Sequence, residues 1–346
     1  MWKPLKLPVW RSLPIMLGRL AALLFFSLAS RAFAQCADSR PNEPVTVGFR
    51  IVKIPHGPKT AIWYPTRSAE ASFAYSRFLH GSVAIDASVS DCQRYPLVIF
   101  SHGLDGCATQ SVFFTEQLAR AGYIVAAPDH RDAGCSSDGH GFVRWHLPKT
   151  SFLSPGRWNE RTYFDRHCDL EAVLDWMTTG STFAALIDQD HIGAVGHSLG
   201  GYSVLALAGG WESWRDPRIK AVLLFSPWAR PFAAHQRLNA IRVPVMYQGA
   251  QLDLGITPWL RGEKGIVARS QNPKAYLELR GGTHLEWTNA VCLGHISIAG
   301  CLEKKNNARL IVEYGTAFLD RYLRGRSDEW TRLDGVGLRA FENSTR

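Results

Sequence analysis

The stretch His191-Ile-Gly-Ala-Val-Gly-His-Ser-Leu-Gly-Gly-Tyr202 is an apolar strand that runs straight into Gly196-His197-Ser198-Leu199-Gly200 and on into a small-residue helix. A serine hydroxyl becomes a useful nucleophile only when it projects from a sharp turn. Glycines two residues before and after the serine let the strand and helix backbones pass without a Cβ clash. Ser198 is therefore the candidate nucleophile. The helix that starts beneath it leaves the Leu199 backbone N–H free to face a developing oxyanion. The plainer reading is a structural glycine turn carrying a bystander serine. Against it stand the strand before, the helix after, and suitable partners later in the chain.

Serine needs a base, and the base needs an acid that fixes its tautomer and stabilises the imidazolium as it forms. A serine on this kind of turn takes its acid first and its histidine second along the chain. Asp253 follows the hydrophobic run Val243-Pro-Val-Met-Tyr-Gln-Gly-Ala-Gln-Leu-Asp253, and His284 follows Tyr276-Leu-Glu-Leu-Arg-Gly-Gly-Thr-His284. Each falls at the carboxyl end of a strand, from which its side chain can converge on Ser198. Glu286 sits too close to His284 in sequence to face it, and Asp188 and Asp190 precede the Ser198 strand at its opposite end. The acid at Asp253 could otherwise be a turn-forming residue, and His284 an ordinary loop histidine. The second oxyanion donor is assigned to the backbone N–H of Leu104, in the loop after Leu97-Val-Ile-Phe-Ser-His-Gly103. His102 in that loop is retained as a substrate-binding candidate, although such a histidine more often shapes the backbone.

Around this constellation, strand-like and helix-like segments alternate. They are 97–100, 111–120, 123–127, 169–177, 192–195, 199–208, 221–225, 243–248, 275–279 and 308–323, preceded by a hairpin within 45–64 and a polar segment reaching to about residue 94. Continuous apolar strands separated by helices predict an α/β fold with a mostly parallel central sheet covered by helices on both faces. Two long stretches interrupt the rhythm. Residues 132–166 are rich in Gly, Ser and Pro and carry Phe142, Trp145, Phe152, Trp158 and Tyr163; residues 285–307 carry Trp287 and two cysteines. Long loops at the carboxyl ends of parallel strands are candidate pocket walls, and 132–166 is a candidate lid.

With 346 residues and 46% hydrophobic content, the chain can bury a large core. Lys3, Lys6, Arg11 and Arg19, the apolar run 20–28, and Ala32-Phe33-Ala34 predict an export signal over residues 1–34, followed by a single catalytic domain over 35–346. An uncleaved anchor would leave the small-residue cleavage site unexplained, and Cys36 lacks the small neighbours of a lipidation site. Removing the five basic residues of the leader, which include Arg31, lowers the formal +9 to about +4 without any Lys/Arg run. That charge gives no argument for nucleic acid. All seven cysteines (Cys36, Cys92, Cys107, Cys135, Cys168, Cys292 and Cys301) follow the leader, as suits an oxidising compartment. Cys292 and Cys301 are the favoured pair, and the odd count leaves at least one cysteine without an intramolecular partner. No spacing suggests zinc, and the serine chemistry requires no cofactor.

These residues resemble the α/β-hydrolase superfamily over about 45–324. The similarity is carried by Phe100-Ser-His-Gly-Leu104, Gly122-Tyr-Ile-Val-Ala-Ala-Pro-Asp-His130, Gly196-His-Ser-Leu-Gly-Gly-Tyr202, Asp216-Pro-Arg-Ile-Lys-Ala-Val222, Gln248-Gly-Ala-Gln-Leu-Asp253 and Gly281-Gly-Thr-His284. Within the superfamily the chain looks like dienelactone-hydrolase-like and platelet-activating-factor-acetylhydrolase-like bacterial proteins, and like cutinase-type lipases and polyesterases. True dienelactone hydrolases carry cysteine where this chain has Ser198, so their activity is not implied. The acetylhydrolase type carries its acid where this chain reads Phe225-Ser-Pro-Trp228, whereas Asp253 matches the polyesterase branch. In that branch the matching tryptophan lines the acyl cleft, which makes Trp228 a substrate-binding candidate. The resemblance implies a secreted or periplasmic carboxylic ester hydrolase acting on a small-molecule, lipid or polymer ester. An exported amidase or peptidase of the same fold is the alternative, and a non-catalytic binding module on a hydrolase scaffold is the alternative of another class.

Overall fold

In a computed structural model that describes residues 45–90, 93–137 and 144–344, eleven strands form the central sheet. They are β1 (Thr46–Lys53), β2 (Lys59–Thr66), β3 (Ala71–Ser76), β4 (Leu79–Ile85), β5 (Tyr95–Ser101), β6 (Ile124–Pro128), β7 (Ile187–His197), β8 (Ile219–Phe225), β9 (Val245–Ala250), β10 (Lys274–Leu279) and β11 (Leu338–Ser344). The order across the sheet is β11-β10-β9-β8-β7-β5-β6-β2-β1-β4-β3. The run from β10 to β6 is parallel throughout. Antiparallel pairing marks its flanks, β11 on β10 at one side and β2 on β6 at the other. The export signal and the residues Cys36, Cys92 and Phe142 lie outside the described residues.

The parallel strands are buried on both faces, and their side chains alternate between two apolar layers, as strand geometry requires. In β8, Ala221, Leu223 and Phe225 join one layer, and Val222 and Leu224 join the other. Helices α1 (Val112–Arg120) and α5 (Asn306–Arg324) cover the first face. Helices α2 (Phe164–Asp175) and α3 (Leu199–Leu205) cover the second, and α4 (Ile298–Lys304) packs near α5. The sheet is therefore mixed only at its edges and covered on both sides.

Three segments depart from the sequence expectation. The polar stretch before residue 94 contains the β3–β4 hairpin, the C-terminus adds β11, and 285–307 carries the short helix α4. Both hairpin and C-terminal strand are largely solvent-facing, so neither shows the apolar run by which a buried strand is recognised.

Candidate active site

Ser198 occupies the junction between β7 and α3 with φ 53° and ψ −115°, a conformation that L-residues rarely adopt. The turn is held rather than free: Ser198 N donates to Phe225 O at 2.9 Å, and Ser198 O accepts from Trp228 N at 2.9 Å. Glycine is obligatory around it. A Cβ on Gly200 would overlap the Ser101 carbonyl, and a Cβ on Gly196 would overlap the Gly200 carbonyl.

His284 Nε2 lies 2.9 Å from Ser198 Oγ, and His284 Nδ1 lies 2.9 Å from Asp253 Oδ2. A carboxylate oxygen can only accept, so Nδ1 carries the hydrogen and Nε2 presents a lone pair to the serine hydroxyl. Asp253 is 4% exposed, while Ser198 and His284 are half-buried at the floor of a cleft of about 780 Å³. The sequence rivals are occupied elsewhere. Asp188 pairs with His191 at 2.7 Å, Glu286 accepts from Asn307 Nδ2 at 3.1 Å, and Asp190 lies in the first half of β7, away from the carboxyl end that carries Ser198.

Leu104 lines this cleft and its amide has no protein acceptor among the described residues, whereas the neighbouring Gly103 N–H donates to Gln110 Oε1 at 3.0 Å. Leu199 is the first residue of α3, and a first-turn amide has no acceptor within its helix.

The two residues expected to bind substrate lie elsewhere. The His102 ring is wholly buried. Its Nδ1–H donates to Gly103 O at 2.6 Å and its Nε2 accepts from His130 N at 3.1 Å, so both nitrogens serve the backbone. Burial, with Arg166 beside it, holds the ring well below the ordinary imidazole range and keeps it neutral. Trp228 is 3% exposed and sits under Phe152, which packs edge-on at 5.0 Å and itself lines the cleft.

Beneath the Leu104 loop lies a polar cluster that the sequence did not disclose. Arg166, wholly buried, donates to His102 O at 2.6 Å and Gly103 O at 3.0 Å while pairing with Asp132 at 3.0 Å. Burial alone would push the Asp132 carboxyl up, but the Arg166 charge outweighs it and brings it to about 2. Ser101, His130 and Asp169 form a second Ser-His-Asp row here, at 2.9 and 3.0 Å, but it is buried and none of the three lines the cleft that holds Ser198. Asp132 and Arg166 are the two ends of the 132–166 stretch, so one ion pair closes that loop at its base. The Cys107–Cys135 disulfide ties the same stretch to the Leu104 loop; a second disulfide joins Cys292 to Cys301, and Cys168 is free and exposed. Tyr75 and Phe78 of the β3–β4 hairpin add a further wall to the cleft.

Among the described residues no helix is long and apolar enough to cross a membrane, and no group of His, Cys, Asp and Glu is arranged to hold a metal ion. Residues 72–139 match the family of platelet-activating factor acetylhydrolase, isoform II, and residues 159–322 match the PET hydrolase-like family. Among characterised relatives, the platelet-activating factor acetylhydrolase of Cavia porcellus is 22% identical over 294 residues, 74% of this chain and 65% of that protein. Cutinase 2 of Thermobifida cellulosilytica is 27% identical over 193 residues, covering 53% of this chain and 67% of that protein. Cutinase 1 of the same organism reaches 34% identity over 119 residues, 33% of this chain and 42% of its own length. The chain thus spans about two thirds or less of the length of these relatives. The acetylhydrolase match covers the strand and loop that carry Leu104, and the PET hydrolase match covers Ser198, Asp253 and His284. Sheet order, strand-to-helix serine turn and both matches agree on the α/β-hydrolase fold and are consistent with that superfamily.

Proposed function

We propose that the protein is an exported serine hydrolase that cleaves carboxylic esters through an acyl-enzyme, with Ser198 as nucleophile, His284 as base and Asp253 as the orienting acid. The observation that carries this reading is the row Ser198 Oγ–His284 Nε2 and His284 Nδ1–Asp253 Oδ2, 2.9 Å at each of the two hydrogen bonds, with Ser198 and His284 lining an open cleft. His284 takes the Ser198 proton as the hydroxyl attacks the ester carbonyl. The Leu104 and Leu199 amides hold the oxyanion, and the alcohol leaves with the proton returned by His284. Water, activated by the same imidazole, then releases the acid. Asp253 stays ionised throughout and stabilises the imidazolium.

Export is supported by the residues of the leader and by two disulfides, which persist in oxidising compartments. The stretch 132–166 forms one wall of the cleft in this reading, in a single catalytic domain. The names of the relatives, an acetylhydrolase and cutinases, favour an ester of a carboxylic acid over an amide.

The test is hydrolysis of p-nitrophenyl acetate, butyrate and palmitate by the mature protein, with Ser198→Ala and His284→Ala alongside. Losses on the order of 10⁴- to 10⁶-fold in kcat are expected for both variants. Labelling by a fluorophosphonate probe is expected for the wild type and not for Ser198→Ala. Turnover that survives both substitutions would overturn the assignment.

A further inference from the structure

Gln110 closes the loop between β5 and α1, and its half-buried side chain lines the cleft. Its carboxamide has three polar neighbours. Oε1 accepts from Gly103 N at 3.0 Å, and Nε2 lies 3.2 Å from His197 Nδ1 and 3.3 Å from Ser111 Oγ. His197, the residue before the nucleophile, in turn has its Nε2 3.0 Å from the backbone carbonyl of His284.

Elementary donor and acceptor rules fix every group in this row. Gly103 N–H can only donate, so the carboxamide oxygen faces it and the NH₂ faces His197. The His284 carbonyl can only accept, so His197 Nε2 carries the hydrogen, and in the neutral ring Nδ1 is the acceptor that the Gln110 NH₂ requires. The His197 ring is 3% exposed. Burial, with the His284 ring tilted against it at 4.9 Å, holds it well below the ordinary imidazole range, so it remains neutral. The titratable groups facing it are His284 on the base loop and His102 on the loop after β5. Among the described residues no carboxylate contacts the ring.

Three separate pieces of the site are joined by this row: the loop that presents Leu104, the turn that presents Ser198, and the loop that presents His284. While Gln110 engages Gly103 N–H, the next amide, that of the cleft-lining Leu104, keeps no protein acceptor among the described residues. We propose that Gln110 is a positioning residue which, through Gly103 and His197, sets the oxyanion donor and the base in register with Ser198. The proposal rests on the serine-hydrolase reading above, since it concerns the alignment of that site.

The test uses Gln110→Met, which removes all three polar contacts at similar volume, and Gln110→Glu, which keeps the acceptor for Gly103 but replaces the donor to His197 with a second acceptor. Gln110→Met is expected to lower kcat about 10- to 100-fold with KM within a factor of two, since a small misplacement of donors acts on the transition state. Its melting temperature is expected to stay close to that of the wild type, because the site is half-exposed. In Gln110→Glu the His197 ring must turn a hydrogen toward the new carboxylate, either by changing tautomer or by taking a proton. Histidine ¹⁵N shifts are expected to show Nε2–H alone in the wild type and a protonated Nδ1 in Gln110→Glu, with an added ionisation in the pH profile of kcat. Wild-type kcat in Gln110→Met, a loss that tracks lowered stability with KM and kcat moving together, or a Gln110→Glu profile superimposable on the wild type would each overturn the proposal. A wild type that neither turns over esters nor reacts with the fluorophosphonate overturns the serine-hydrolase reading and this proposal together. A fully active wild type with unaffected variants overturns this proposal alone.

Discussion

The hydroxyl of Ser226 donates to the same carboxylate oxygen of Asp253 that receives the His284 Nδ1–H, and its oxygen lies 3.0 Å from that nitrogen. Ser226 stands just beyond β8 with φ 44°, anchored by its N–H to Gln248 O at 2.8 Å. A carboxylate that is 4% exposed has little water to satisfy it, so a second fixed donor holds its rotamer as well as its charge.

Ser226→Ala removes that donor and leaves Asp253 and His284 in contact. We expect kcat/KM to fall about 10-fold, in line with roughly 1 to 1.5 kcal/mol for one hydrogen bond. Because φ is positive here, Ser226→Gly serves as the control that relieves the backbone while losing the same hydroxyl. Equal losses in both variants support the account. A loss in Ser226→Ala that Ser226→Gly restores would show strain, not the hydrogen bond, at work.

Much of this site was legible because parallel strands buried on both faces read as continuous apolar runs, and the residues that matter sit where those runs stop. Ser198, Asp253 and His284 each follow such a run, as does the Leu104 loop. Other features left no such mark. The β3–β4 hairpin is half polar and exposed, yet Tyr75 and Phe78 wall the cleft. Gln110, Ser226 and Arg166 act through partners distant in sequence, so residue type alone gives no sign of them. A Gln before an amphipathic helix reads as helix lead-in, and a Ser-Pro reads as a turn. Trp228 was expected to line the cleft, but that depends on whether anything covers it, and Phe152, 76 residues earlier, does.

Phe152→Ala would uncover that tryptophan. Phe152 lies 5.0 Å from the Trp228 ring and 5.2 Å from the Trp158 ring, so its removal exposes an aromatic floor behind the cleft wall. Longer acyl chains should gain most, since burying one methylene contributes about 0.8 kcal/mol, or up to roughly fourfold in kcat/KM. We expect the octanoate-to-acetate ratio of kcat/KM to rise by about tenfold or more in the variant. A ratio that stays at the wild-type value would mean the acyl chain lies elsewhere.

The Cys292–Cys301 bridge spans a separation of 9 residues directly after the base loop, where Asn289 also holds Val112 N at 2.9 Å. In the chain-entropy account, closing so short a loop stabilises the fold by about 2.6 kcal/mol. Replacing both cysteines by serine should lower the chemical-denaturation free energy by about that amount, and activity at low temperature should largely remain, because Asn289 and the His197–His284 contact still fix the base. Thermal inactivation that is unchanged by the double substitution would contradict this.

Glu116 of α1 makes the stability of the protein depend on pH with a definite sign. It is 2% exposed, accepts from Ser82 N at 3.3 Å and Tyr75 OH at 3.2 Å, and has Arg120 at 3.8 Å. Burial outweighs these contacts and pushes its carboxyl up to about 7, whereas the unfolded chain ionises near 4.3. The folded state therefore holds more protons between those values, and stability falls as pH rises through that window, with the full cost present above about 7. Glu116→Gln imitates the protonated acid at every pH. At pH 5, near the lower end of that window, the variant should melt only slightly above the wild type. At pH 8 the variant should melt several degrees higher, corresponding to a difference on the order of 2 kcal/mol. Comparing the two at both pH values cancels the contributions of other groups, including Asp169, whose carboxyl burial raises to about 6. A melting difference that does not change between pH 5 and pH 8 would show that Glu116 is ionised across the range and that Arg120 and the Ser82 amide compensate fully for its burial.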